Sequence, residues 1–289
     1  VFALIKTNIL IRNLSSQLLA AVVFCTFYSL IASTQPNDGG FDFSVGTNYR
    51  TFPKSGSAEL DLGYGRVWWG SPQSPFYGFY RASLNPEGVE DYFSGKLQLE
   101  IFPVSFLGIR FARSWIQNHL DYKDYDCITF ICRGNFEADK LEVPLYLKFK
   151  SILVFSAFRK SFWNYKSINT TGALTEFIEP TSGLPLDLAQ NSLITQWQGG
   201  VFWQLSTSWK LGYIEASFIN KDNSARATNH SRQWFGVIQK SISDSSQTDL
   251  FKITLGAGEY SSNISSIAKR NEPTLYLSLT YSPYPKLGY

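Results

Sequence analysis

The chain has 289 residues, with 26 Lys and Arg against 23 Asp and Glu, a formal net charge of +3. That small excess is spread along the chain without a basic run, which excludes a nucleic-acid-binding surface, and the slightly negative mean hydropathy excludes a bundle of membrane-crossing helices. Aromatic residues make up 16% of the chain and charged residues only 17%, a balance that suits β-strands.

The first forty residues differ from the rest. Lys6 and Arg12 give a positive start, residues 18–32 carry no charge, and residues 33–40 are polar and turn-prone. This pattern predicts a secretory signal peptide over 1–33, cleaved near Ala32 or Ser33. A retained membrane anchor is the alternative, although the uncharged core is shorter than the roughly 20 residues of a helical span. Phe24 stands where a lipoprotein site would need a small residue before Cys25. Residues 34–40 then form a short lead-in, and residues 41–289 the folded domain.

From Phe41 onward the chain repeats one unit: about ten residues of apolar/polar alternation followed by a turn. Leu141, Val143, Leu145, Leu147 and Phe149 interleave with Glu142, Pro144, Tyr146, Lys148 and Lys150, so one face of the strand is apolar and the other polar. Twelve strands are predicted, at 41–52, 57–68, 75–84, 92–102, 104–114, 140–150, 152–163, 192–205, 207–219, 231–241, 250–260 and 273–282. Most are longer than the five or six residues usual in soluble sheets and match the roughly 9–11 residues of a tilted strand crossing a bilayer. Connections sort by parity. Even-numbered ones are tight, whereas odd-numbered ones hold the insertions, including 85–91 and the two longest, at about 116–139 and 164–191. Pro144 in mid-strand predicts a bulge or kink.

The apolar set includes Phe41, Leu60, Leu97, Leu107, Trp197, Leu211, Leu255 and Leu275, and is expected to face outward. The polar set is expected to line a lumen: Arg50, Glu59, Asp61, Lys96, Glu100, Arg110, Glu142, Lys148, Lys210 and Lys252, because a lipid-facing charge costs about 2–4 kcal/mol near the bilayer midplane. Aromatic residues gather near strand ends, among them Trp68, Trp69, Trp115 and Trp163, as rings at two water interfaces would. The competing reading is aromatic packing at the rim of a soluble, secreted β-sandwich.

On this pattern residues 41–289 resemble the bacterial outer-membrane β-barrel proteins as a broad class, with no specific family motif. The resemblance implies an all-β, antiparallel up-and-down transmembrane barrel of twelve strands in the bacterial outer membrane. It places residues 34–40 in the periplasm and the long loops outside. Its partners are then outer-membrane lipid and, during biogenesis, the barrel-assembly machinery, which reads a final strand closing on an aromatic residue. Residues 274–281 look like that strand, but two prolines, Pro283 and Pro285, break the alternation before Tyr289.

Little in the sequence points to catalysis. Cys127 and Cys132 are expected to form a local disulfide in an oxidising compartment. A metal reading lacks ligands, since the only histidines are His119 and His230; no cofactor and no metal are expected. His230 and Ser231 are adjacent on a strand and so point to opposite faces, and His119 near Asp121, Asp124 and Asp126 reads as a solvated acidic loop. No catalytic residue is assigned, and the protein is not expected to be an enzyme. The first functional expectation is a porin-like channel for a small polar or charged solute. The alternative is a non-conducting surface barrel whose loops mediate adhesion or partner binding, with an outer-membrane hydrolase behind both.

Overall fold

The computed structural model describes residues 39–52, 55–72, 74, 76–89, 92–119, 127–128, 130–167, 176–179, 182–187, 192–220, 229–243, 249–263 and 271–282. The signal peptide expected at 1–33 and all but the last two residues of the lead-in lie outside them. Gly39 and Gly40 already belong to the first strand.

Twelve long strands close into one antiparallel barrel. In chain order they are β1 (Gly39–Arg50), β2 (Ser55–Gly70), β3 (Tyr77–Val89), β4 (Tyr92–Val104), β5 (Leu107–Asn118), β6 (Gly134–Phe149), β7 (Ile152–Ser167), β10 (Ser192–Gln204), β11 (Trp209–Asn220), β12 (Asn229–Ser243), β13 (Asp249–Ser262) and β14 (Asn271–Tyr281). Two three-residue strands, β8 (Glu176–Ile178) and β9 (Pro185–Asp187), form a separate hairpin inside the connection between β7 and β10. Each long strand pairs with its neighbours in sequence, and β1 pairs with β14 from Val45–Tyr281 to Arg50–Tyr276. Closure leaves no long strand with an unpaired edge, as a bilayer requires of spanning strands.

The sequence placed every long strand, and the differences lie at their ends. β4 and β5 join through Ser105–Phe106 and β6 and β7 through Lys150–Ser151. At the opposite end β5 continues to Asn118 and β6 begins at Gly134, so the insertion predicted over 116–139 contracts to 119–133. The insertion predicted over 164–191 begins only after Ser167 and contains the β8–β9 hairpin. The loop predicted at 85–91 is mostly strand, because Asn85, Pro86, Glu87 and Gly88 pair with Lys96, Gly95, Ser94 and Phe93. Pro144 produces no register shift. The β5–β6 ladder omits the Gly108–Pro144 and Ile109–Val143 pairs and resumes in the same register at Leu107–Leu145, as expected of a residue without an N–H.

The outer face is apolar and exposed, with Leu97 54%, Leu211 49%, Leu255 51% and Leu275 59% accessible; Phe43 is the buried exception. Exposed aromatics mark both borders of this band. Trp68, Trp69, Phe149, Trp203 and Trp209 stand toward the short-turn end, and Tyr49, Phe93, Trp115, Phe162 and Trp234 toward the long-loop end. An apolar surface of this extent is stable only in contact with another apolar phase. Two girdles around a band of one strand's length identify that phase as a bilayer.

Candidate functional site

The lumen wall is built by the second half of the alternation. Arg81, Glu100, Arg110, Glu142, Arg159 and Gln196 stand directly opposite one another on β3, β4, β5, β6, β7 and β10. Their charges alternate, so Arg81 and Arg110 meet carboxylates on both flanks, and Arg159 meets Glu142 on one flank and Gln196 on the other. Arg81 Nη1 donates to Glu100 Oε1 at 3.2 Å, Arg110 Nε to Glu100 Oε2 at 2.9 Å, Arg110 Nη1 to Glu142 Oε1 at 2.7 Å, and Arg159 Nε to Glu142 Oε2 at 2.6 Å. Arg159 Nη1 ends the row on Gln196 Oε1 at 3.2 Å. At the other end Arg81 reaches back over β2, donating to Asp42 Oδ2 at 2.9 Å and to Asp61 Oδ1 at 2.9 Å. Gly63 permits that reach, since a Cβ there would lie 2.2 Å from Arg81 Nη2. Arg81, Glu100 and Glu142 are buried, and charges in such a place persist only when paired and hydrogen-bonded.

Below the row, toward the short turns, lies an aromatic layer. Phe79 stacks on Phe102 with centroids 4.6 Å apart, beside Tyr77 and Tyr146. The Arg110 guanidinium lies 5.7 Å from the Phe102 ring centre and 5.9 Å from that of Tyr146. Across the lumen the wall is mostly neutral: Gln239 Nε2 donates to Thr254 Oγ1 at 3.1 Å, and Tyr276 OH to Asn48 Oδ1 at 3.2 Å.

Above the row, the long-loop mouth is filled from within. The β8–β9 hairpin turns through Glu179 and Leu184, with Glu179 N donating to Leu184 O at 2.9 Å. The Glu179 carboxylate accepts from the backbone N and the Oγ of Ser182 at 2.6 and 2.5 Å, which fixes the turn. The disulfide-bonded pair Cys127–Cys132 brings Ile131 alongside: Ile131 N donates to Glu176 O at 3.0 Å, and Ile178 N to Ile131 O at 2.9 Å. Phe177, Ile178, Leu184 and Leu186 are fully buried. They join one cluster with Phe136 and Trp163 on one side of the barrel and Phe218 and Tyr260 on the other. Polar ties span the lumen as well. Ser231 Oγ and Tyr260 OH both donate to Ser182 O, at 3.1 and 3.0 Å, Asn220 Nδ2 donates to Pro185 O at 2.7 Å, and Asn118 Nδ2 to Cys132 O at 2.5 Å. These two loops form a plug.

Of the predicted lumen residues, Glu100, Arg110 and Glu142 fall in the charge row and Asp61 pairs with Arg81. Arg50 is buried and donates across the lumen from β1 to Gln233 on β12. Glu59, which is exposed, and Lys96 line a partly open cavity between row and plug. Lys210 and Lys252 are half-buried in inward register positions near the short turns, and Lys148 is exposed there. His230 is exposed on the outer face while Ser231 faces the lumen. His119 is exposed, and its acidic neighbours Asp121, Asp124 and Asp126 lie outside the described residues. Arg81, Arg159, Lys140 and Ser114 are lumen residues that the sequence reading does not single out, and Trp163, expected in an interfacial ring, instead turns inward and is buried in the cluster under the plug. The register of the charged face was the available signal, since every one of them follows from pairing β3 to β10 in sequence.

A closed antiparallel barrel with an apolar outer face and a polar lumen is the architecture of the outer-membrane β-barrel class. No protein-family model matches the chain, and no curated protein matches it. Among solved structures it is similar to the NanC porin, at 9% identity and a TM-score of 0.41, over 83% of this chain and 98% of that one. It is similar to OmpT, an outer-membrane protein of Vibrio cholerae, at 6% identity and a TM-score of 0.41, over 86% and 99% of the two chains. A third similarity is to the β domain of the Bordetella autotransporter BrkA, at 9% identity and a TM-score of 0.39, over 85% and 99%.

Proposed function

We propose that the protein is a porin-like channel of a bacterial outer membrane, passing small polar or charged solutes, and that the described conformation is its closed one. The long loops then face the exterior and the short turns the periplasm. One observation carries this reading. The lumen under the plug is charged and holds a partly open polar cavity, while the element that fills its mouth is a pair of loops and not the wall itself. A barrel that served only to display loops would have no use for a charged interior.

A second reading, a non-conducting surface barrel whose loops bind a partner, is favoured by the depth of the apolar plug and by the self-pairing of the charge row. Planar-bilayer recording separates the two. Intact protein should conduct rarely or in small steps, and a variant lacking residues 176–187 should conduct in steps several-fold larger. Silence from both proteins, each shown to be a folded barrel by heat-modifiable mobility on gels, would exclude the channel and leave the surface barrel.

A further inference from the structure

On the outer face, near the long-loop girdle, two rows of side chains cross β3 to β7. One runs Ala82, Leu99, Phe111, Leu141 and Lys160; the next, toward the long loops, runs Leu84, Leu97, Arg113, Asp139 and Phe162, the members of each directly opposite one another. All ten are exposed. They enclose an open groove of about 470 Å³, lined among others by Ala82, Leu97, Leu99, Phe111, Leu141 and Phe162, with Arg113 and Asp139 on its long-loop side. The short side chain of Ala82 leaves the groove open at its β3 end. Apart from that charged border the named lining is apolar, which suits a hydrocarbon chain and gives water nothing to bond.

The charges beside this groove do not cancel. Arg113 Nη2 bonds Glu137 Oε2 at 2.7 Å and its Nη1 lies 3.8 Å from Asp139 Oδ1, while Lys166 Nζ lies 3.4 Å from the same Glu137 oxygen. Lys160 completes the set with no ion pair among the described residues, so three cations stand against two carboxylates. A lipid-facing charge costs about 2–4 kcal/mol at the bilayer midplane and less near its borders, and Lys160 lies one step inside the girdle residue Phe162. On the opposite face, at the same border, the balance is reversed: Glu215 and Glu259 flank Trp234, and Arg232 bonds Glu215. The unmatched cation is therefore particular to β5–β7. Lys160 is also placed to serve the groove. It is directly opposite Leu141 and two residues from Phe162, about 5 and 7 Å between Cα atoms. Arg113, two strands and two residues away, is about 12 Å from it, a span that two long side chains can close around one phosphate.

We propose that this face holds one phosphate-bearing lipid of the external leaflet. Its acyl chain lies in the groove over Leu99, Phe111 and Leu141, and its phosphate accepts from the Lys160 ammonium and the Arg113 guanidinium. The site rests on the outer face being lipid-covered and not on conduction, so it would exist equally in a barrel that never opens.

Native mass spectrometry of the full chain, refolded into detergent micelles and titrated with dioleoyl phosphatidic acid, tests the site. One lipid should bind per barrel ahead of any others, about tenfold more tightly than dioleoylglycerol, which has the same chains and no phosphate; tenfold corresponds to about 1.4 kcal/mol. Dioleoyl phosphatidylcholine, whose phosphate is offset by its own cation, should bind as weakly as dioleoylglycerol. Lys160→Gln should remove the preference for phosphatidic acid, and Ala82→Trp, which fills the groove, should weaken all of these lipids. Arg232→Gln, on the opposite face, should leave the preference as it was. Lys160 is exposed and has no ion pair to lose, so Lys160→Gln keeps the barrel folded, as heat-modifiable mobility on gels would verify. Equal binding of the lipids, or a preference for phosphatidic acid that survives Lys160→Gln, would overturn the phosphate assignment. Binding indifferent to Ala82→Trp would overturn the groove as the seat of the chain. A silent bilayer recording would bear on the channel and not on this site.

Discussion

The charge row and the plug occupy neighbouring levels of one lumen and are held in different ways. The row is made by the wall. Its members are fixed by strand register, its ion pairs join adjacent strands except where Arg81 on β3 reaches past β2 to Asp42 on β1, and the whole runs from there to Gln196 on β10. The plug is made by loops that return into the barrel, and it is held mainly by burial of Phe177, Ile178, Leu184 and Leu186 with a few hydrogen bonds to the wall. Directional, charge-assisted bonds tie the row into the barrel's own pairing. Hydrophobic burial is non-directional and roughly additive, and the plug's hydrogen bonds to the wall come from side chains and not from the barrel's ladders, so undocking it should leave those ladders intact. The row should therefore govern whether the barrel stands, and the plug whether it is closed.

The largest effect is expected from Arg81→Ala. The change removes a guanidinium that donates to Asp42, Asp61 and Glu100 at once. Removing one partner of a buried ion pair costs about 3–5 kcal/mol. Urea titration of the refolded barrel, followed by tryptophan fluorescence, should show a loss of that size. A loss below about 1 kcal/mol, as for an exposed pair, would mean that water reaches the row and that the lumen is open at that level.

Phe177→Ala acts on the other side of the comparison. Phe177 is fully buried and packs 5.1 Å from Phe136 and 5.8 Å from Tyr165, centroid to centroid. Truncating a buried Phe costs about 3–5 kcal/mol where the surroundings cannot relax, but here the loop can undock. Barrel unfolding should move by less than half of the Arg81→Ala change. Limited proteolysis should cut 176–187 far faster, and channel openings should become more frequent. If global stability fell as far as in Arg81→Ala, the plug would be part of the barrel's core and not a separable closure.

The same contrast explains what could be read from the chain. The wall was legible because period-2 alternation survives strand by strand, and Glu100, Arg110 and Glu142 announce themselves between apolar neighbours. Arg159 did not, because Lys160 follows it and two adjacent charges conceal which one faces inward; pairing with Glu142 and Gln196 decides it. The segment 85–88 reads Asn-Pro-Glu-Gly, a turn by every local signal, yet its backbone pairs with β4, so tertiary context overrode turn chemistry. The plug was hardly legible at all. Its strands are three residues long, too short to show a period, and its burial depends on a lumen that exists only after the barrel has closed.

The smallest effect is also the most specific to the row's geometry. Gly63 lies inside β2 with no positive φ to require glycine, and a strand-interior glycine ordinarily gains stability when replaced by alanine. Here the added methyl would meet the Arg81 guanidinium at 2.2 to 2.6 Å. The end of an arginine side chain is flexible, but this one is held by Asp42, Asp61 and Glu100, so it can retreat only by giving up bonds on β1 or β2 while keeping Glu100. Gly63→Ala should therefore destabilise the barrel by about 1–3 kcal/mol, the cost of overpacking, against the stabilisation that strand propensity alone predicts. The double variant Arg81→Ala/Gly63→Ala should lose this penalty: with the guanidinium gone the methyl has space, and the two changes should fall short of additive by about the Gly63→Ala cost. Strict additivity would show that Arg81 does not lie over Gly63, and the row would then begin at Glu100 and not at Asp42.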